Sequence, residues 1–297
     1  MGTANSPRGV SRRVASGITT LEDATVPAPN VISIDKLARL VGLPASPLLV
    51  DLRDRPASAI PGSRFPAAGD LARWCRSHGR AVVVVDADAG GSVAAAAILR
   101  SEGIAAEVLD GGVAAWIAAG FPTLKLAALP PRREDGRTWW VTRARPKVDR
   151  IACPWLIRRF IDPDARFLFV APGEVLDLAA RERAEPFDVA DDRVPWRHRG
   201  ERCTFDAMVE AFGLAGHTPL ARLADIVRGA DTDRLDHAPE AAGLLAISLG
   251  LSRMHGDDHA QLDAGMAVYD ALYRWCRDAQ GERHDARSHA PAAGVSA

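Results

Sequence analysis

Lysine is nearly missing from this chain: Lys36, Lys125 and Lys147 are the three lysines among 37 basic residues, so positive charge is carried by arginine. Arginine's planar, permanently charged fork suits bidentate contact with oxyanions better than a lysine ammonium does. Paired cysteines are missing too. Cys75, Cys153, Cys203 and Cys276 lie far apart with no CxxC pair, which excludes a zinc ribbon or a dense disulfide framework and fits reduced thiols in a cytoplasmic protein. No apolar run is long enough to span a bilayer. Residues 1–29 hold no apolar signal core; they read as a disordered tail, as does the polar stretch 280–297. Nor is there a large excess of one charge, and a net charge of −1 speaks against nucleic-acid binding by the chain as a whole. What remains is 297 residues with 47% hydrophobic and 25% charged content, an ordinary globular composition with room for two cores.

From residue 30 to 126 strand and helix signals alternate. Ser33 can cap a helix through Leu37 and Leu40, and Leu48–Leu52 reads as a buried strand. Leu71–Ser77 reads as a helix with Cys75 half-buried on it, and Ala81–Val85 as a central strand. Gly90-Gly91-Ser92 opens a helix, Glu107–Leu109 is a strand, and Gly111-Gly112 precedes a helix around Trp116. This alternation predicts an α/β domain, a parallel sheet flanked by helices. Pro130-Pro131 and the charges that follow mark residues 127–137 as a linker. Residues 138–279 read as a mainly α-helical (α+β) domain. In it, Trp139–Lys147 alternates like a strand, and helices cover Ile151–Phe160, the segment after Thr204, Leu220–Val227, Pro239–Met254 and the segment after Asp257 or Asp258.

The first domain resembles the rhodanese-like superfamily. Leu49-Val50-Asp51-Leu52-Arg53, Ile60-Pro61-Gly62, the Val82–Val85 strand with Ser92-Val93-Ala94-Ala95, and Asp110-Gly111-Gly112 with Trp116 and Gly120-Phe121-Pro122 carry the likeness. In an active rhodanese the loop after that strand begins with a cysteine whose thiolate takes up sulfur. Here the loop contains Asp86, Asp88, Gly90, Gly91 and Ser92, and Asp86 stands in the nucleophile position. A carboxylate cannot carry a persulfide. A second acid at about 4 Å from an incoming anion opposes it by about 1 kcal/mol in water and about 4 kcal/mol at intermediate dielectric, which cancels the help of a helix terminus. The expectation is a catalytically inactive docking domain for a protein partner; a working sulfurtransferase is the alternative.

Chemistry-bearing residues concentrate in the second domain. Arg143, Arg145 and Lys147 would share one face of the expected strand, with Arg150, Arg158 and Arg159 on or beside the next helix. Between Trp139 and Val170 seven basic residues oppose three acids, a local charge of +4 that marks a footprint for a small oxyanion, a phosphate or an acidic partner. A solvated strand edge explains the same charges. Cys153, read as lying near a helix N-terminus and Arg150, is either a low-pKa redox thiol or a buried helix residue. His198, Cys203 and Asp206 collect possible ligands for a divalent metal, although their spacing matches no standard finger. Asp231, in Arg228-Gly229-Ala230-Asp231-Thr232-Asp233, is the expected partner of His198. His255 and His259 are separated by Gly256 and a helix cap, and His217, His237, His284 and His289 read as surface residues.

The same stretch is similar to the C-terminal domain of ChrB-type chromate resistance proteins. The likeness runs from about Trp139 to Cys276 through Trp140-Val141-Thr142-Arg143, Arg150–Phe160, His198 with Cys203-Thr204-Phe205-Asp206, Arg228–Asp233 and Ala241–Leu251. It implies a role in sensing or handling chromate. ChrB regulators carry a different N-terminal region, so DNA binding is not carried over. The expectation is therefore a protein that binds chromate through Arg143, Arg145, Lys147, Arg150 and Arg158, beside a metal at His198, Cys203, Asp206 and Asp231. The alternative is a metal-dependent enzyme centred on His198, Cys203 and Asp231.

Overall fold

The structure, a computed structural model, describes residues 1–2, 30–54, 56–66, 69–88 and 90–282. Most of the two expected tails, with His284 and His289, lies outside the described residues.

In the first lobe, β1 (Val31–Ile32) leads to α1 (Ile34–Leu40), whose N-terminus is capped by Ser33 Oγ accepting the Lys36 N–H at 3.3 Å. Then come β2 (Leu48–Asp51), β3 (Ser58–Ala59), α2 (Leu71–His78), β4 (Val82–Val85), α3 (Gly90–Ser101), β5 (Ala106–Leu109), α4 (Gly112–Ala118) and β6 (Leu124–Lys125). Strands β1, β5, β4 and β2 pair in that order, all parallel, while β3 and β6 form a small antiparallel pair. On one face Leu49, Val83 and Val85 pack with Leu37 and Trp116; on the other Leu48, Val82 and Val84 pack with Cys75 and Leu99. Burial on both faces explains why β4 is unbroken valine. Cys75, expected half-buried, is fully enclosed because α2 lies flat on that second face.

The second lobe contains β7 (Trp139–Arg143), α5 (Asp149–Leu156), β8 (Arg166–Val170), α6 (Val175–Glu182) and β9 (Glu185–Pro186). It continues with α7 (Thr204–Ala211), α8 (Thr218–Asp231), α9 (Ala241–Met254) and α10 (Asp258–Arg274). β7 lies between β8 and β9 in a small parallel sheet, and the helices make up the rest. The α/β and mainly helical fold classes expected from the sequence are both present.

The strand expected to run to Lys147 stops at Arg143. Ala144 donates one further bond to Val170 O at 2.7 Å; then Arg145 and Val148 take positive φ values of 59° and 40°. Arg143, Arg145 and Lys147 therefore share no strand face.

The lobes meet on a common core, in which Leu37 and Trp116 belong to the same cluster as Trp155 and Phe160. Residues 127–137 are held against the second lobe: Arg132 Nη1 donates to Asp162 at 3.0 Å and Arg133 Nη1 to Glu182 O at 2.6 Å. Arg64, nearly buried, forks onto Asp164 at 2.7 and 3.1 Å, and Gly62 N–H reaches Phe160 O at 2.6 Å. Gly42, at φ 79°, lies so close to Phe160 that a Cβ would stand 2.3 Å from its Cζ.

His217, expected on the surface, is half-buried at this seam because α8 begins there and brings it to Tyr273, with Nε2 2.9 Å from the hydroxyl. Burial, aided by the Arg277 charge, lowers its pKa to about 4. The unfolded chain takes up this proton first as pH falls, so the stabilisation is present above about 6.5 and is lost toward pH 4. The expected loss is about 2 kcal/mol. Urea unfolding of wild type and His217→Phe between pH 7 and 4 checks it: the variant's slope with pH should be shallower.

Candidate metal and oxyanion site

A strained turn builds the site. Val148 is β-branched at φ 40°, a conformation that persists only when its surroundings impose it. Ser248 Oγ accepts the Val148 N–H at 3.0 Å, and the Tyr269 hydroxyl donates to Val148 O at 2.9 Å. Gln261 donates to Pro146 O, the Arg145 N–H bonds Asp258 at 3.0 Å, and the Arg145 guanidinium donates to Ser252 O and to His255 O at 2.8 Å. Helices α9 and α10 thus pin residues 145–148 and fix where α5 starts, with Asp149 and Arg150 at its first turn.

Asp149 is 1% exposed. Its carboxylate reaches the N-terminus of α7, accepting the Thr204 N–H at 2.6 Å and the Phe205 N–H at 3.3 Å. It thereby satisfies two of the donors that a helix start leaves open, where the dipole also favours a negative charge. Asp231, the last residue of α8, accepts the Asp149 N–H on Oδ1 at 3.3 Å. His198 Nε2 then lies 2.9 Å from Asp231 Oδ2, 3.4 Å from Asp149 Oδ2 and 3.6 Å from Asp188 Oδ1. One ligand atom each from Asp149, His198 and Asp231 falls within 4.8 Å of the others.

Arginines flank this group. Asp188 Oδ2 accepts from Arg143 Nη2 at 2.8 Å and stands 3.2 Å from Arg150 Nε, while its Oδ1 accepts the Thr204 hydroxyl at 3.2 Å. A cleft of about 460 Å³ opens beside them, lined by Arg143, Asp188, Arg197 and His198. The electrostatics are tightly coupled. Burial and then the Asp231 charge push Asp149 up to about 7, against the pull of His198. Hydrogen bonds to Asp149 and Asp231 raise His198 to about 10.

The sequence-derived candidates separate. His198 and Asp231 come together as expected. Cys203 and Asp206 do not join them: Asp206 is held by both ends of the Arg228 fork at 2.6 and 2.8 Å and accepts the Cys203 N–H at 3.0 Å. Cys203, at the N-cap of α7, is buried and its thiol is pushed far up, so a ready thiolate ligand is absent there. Cys153 is not at a helix terminus facing Arg150; it lies inside α5, fully buried, with its pKa raised by desolvation and nearby carboxylates. The redox-thiol expectation is corrected on that ground. Of the basic residues, Arg143 and Arg150 converge on Asp188. Arg145 is committed to the turn, and Arg158 sits over the Phe167 ring and faces Asp263 at 3.5 Å. Sequence reading missed Asp149 and Asp188. An acid before an apolar helix reads as an ordinary first-turn residue, and nothing local shows that Asp149 caps a different helix.

In the first lobe, Asp86 Oδ1 accepts the Ala87 N–H at 2.7 Å and Oδ2 the Gly91 N–H at 3.0 Å, while Asp88 Oδ1 accepts the Gly90 N–H at 3.1 Å. A Cβ on Gly91 would stand 2.4 Å from Asp86 Oδ2. The loop's amides therefore cradle a carboxylate of the chain itself.

Residues 140–276 match the family described as ChrB, C-terminal domain. This segment is similar to that domain over its whole matched length. Protein ChrB of Cupriavidus metallidurans is 37% identical over 143 residues, which are 48% of this chain and 42% of that protein, so the chain spans well under half of that relative. A rhodanese-related protein from Thermoplasma volcanium aligns with 32% of this chain and 97% of its own at 21% identity, with a TM-score of 0.26. The matched segment contains every residue of the Asp149–Asp188–His198–Asp231 group. No helix among the described residues is long and apolar enough to cross a membrane.

Proposed function

We propose that this chain is a chromate-resistance protein whose ChrB domain holds a divalent metal between Asp149, His198 and Asp231 and receives a small oxyanion, chromate, at Arg143 and Arg150 beside it. The observation that carries this reading is the convergence of one imidazole and two carboxylates from three separate segments. Imidazole with carboxylates suits first-row divalent ions such as zinc better than calcium, which takes six to eight oxygens. Asp188, held between the two arginines, is the group an arriving oxyanion would displace from them.

Calorimetry on the full chain tests the reading. Zinc is expected to bind with one ion per chain, and His198→Ala to abolish that event; chromate is expected to bind the zinc-loaded protein and to lose at least tenfold in affinity in Arg150→Ala. Zinc binding unchanged by His198→Ala would remove the metal, and chromate binding unchanged by Arg150→Ala would remove the oxyanion seat. A metal-dependent enzyme is the second reading, favoured by the cleft that opens at His198.

The first lobe is the docking module in this proposal, because the Asp86 carboxylate fills the amide cradle where a sulfur nucleophile would work. Thiosulfate:cyanide sulfurtransferase activity is expected at background; turnover above the uncatalysed rate would contradict it.

A further inference from the structure

Helix α9 has two unlike sides. Its inner side carries Ala241, Leu244, Ser248 and Ser252, and the two serines hold the turn at Val148 and Arg145. Its outer side turns Gly243, Ala246, Ile247, Leu249, Gly250 and Met254 to solvent. Ile247, Leu249 and Met254 are 48%, 45% and 74% exposed. No charged residue and no histidine occurs from Ala241 to Ser252. A surface helix normally presents charge to water, and a helix that is apolar all round is normally enclosed. A continuous exposed apolar strip marks an interaction surface.

The ends of the helix identify the partner. Asp236 and Glu240 stand before its first turn, and Arg253 lies in its last. None of these three has an ion-pair partner among the described residues. The charges around them are taken up: Arg234 pairs with Glu201 at 3.0 Å, Asp257 caps α10, and Asp258 accepts the Arg145 N–H. The strip is therefore acidic at one end, basic at the other and neutral between. The same strip turned end for end is its complement, which is the condition for a contact between identical patches related by a two-fold axis. An axis between Ala246 and Ile247 sets Gly243 beside Gly250 of the second copy and brings Arg253 to the end that carries its Glu240. A Cβ at Gly243 or Gly250 would meet nothing within 4 Å, so two backbones can approach closely there.

We propose that this chain forms a homodimer in which the outer side of α9 packs antiparallel against α9 of a second copy. The metal and oxyanion site plays no part in this assignment. One helix offers less than the about 800 Å² per partner of a standard interface, so monomer and dimer should exchange with concentration.

Sedimentation equilibrium on the full chain is expected to show a reversible monomer–dimer equilibrium. Ile247→Glu, which would bury an unpaired charge in the contact, should weaken it at least tenfold. Engineered thiols test the geometry, because the four native cysteines are buried. Ala246→Cys, next to the two-fold axis, should form a covalent dimer on mild oxidation, whereas Arg253→Cys, at the far end of the strip, should not. Thermal melts identify a variant that fails to fold; if Ile247→Glu does, the two cysteine variants decide. A wild type that stays monomeric at every concentration would overturn the proposal and assign the strip to a different protein. A dimer unaffected by Ile247→Glu in a folded chain, or a covalent dimer through Arg253→Cys and none through Ala246→Cys, would overturn it as well.

Discussion

Asp149→Asn is expected to lower zinc affinity at least 100-fold while the chain stays folded. The amide keeps the shape and an acceptor oxygen for the closer Thr204 N–H, sets its NH2 against the Phe205 N–H, and gives up the buried charge that faces His198. Truncation should be far more damaging. Asp149→Ala leaves two amides at the start of α7 without their acceptor and strips His198 of one of its carboxylate partners, a change expected to cost about 3–5 kcal/mol. Urea denaturation with and without zinc separates the two effects. If Asp149→Asn bound zinc like wild type, Asp149 would be a capping residue and no ligand. If Asp149→Ala were as stable as wild type, the carboxylate's reach from α5 to α7 would not hold the second lobe together.

Gly42→Ala is expected to destabilise the protein by about 2–4 kcal/mol, through two separable causes. A side chain at φ 79° is strained on its own, and its Cβ would collide with the Phe160 ring, which is packed against Trp155 and Tyr273. Gly103 supplies the control: its φ is 76°, yet nothing lies within 4 Å of its would-be Cβ. Gly103→Ala should therefore show only the backbone cost of about 1–2 kcal/mol. Equal losses in the two variants would mean that the seam between the lobes yields easily and that the common core does not bind them as described.

Much of the architecture was legible because burial leaves long signals. Residues 48–50 and Val82–Val85 are apolar on both faces, and Ser33 and Asp257 stand at helix starts where their side chains accept backbone N–H groups at 3.3 and 2.8 Å. Two-residue strands such as β3, β6 and β9 carry no periodicity and were not legible. The basic alternation from Arg143 to Lys147 imitates a strand; the turn that replaces it is imposed by α9 and α10, 100 or more residues downstream. The same distance hid half of the site. Chemistry pairs His198 with Asp231, whereas Cys203 and Asp206 are only neighbours in sequence. Arg228 claims Asp206, and Asp149 arrives instead from a helix 49 residues before His198.

The most direct test of the metal centre is anomalous diffraction from crystals of the full chain grown with zinc. A single strong peak is expected within about 2.0–2.2 Å of Asp149, His198 and Asp231 ligand atoms. A peak at other residues, or none at these three when zinc is saturating, would contradict the account.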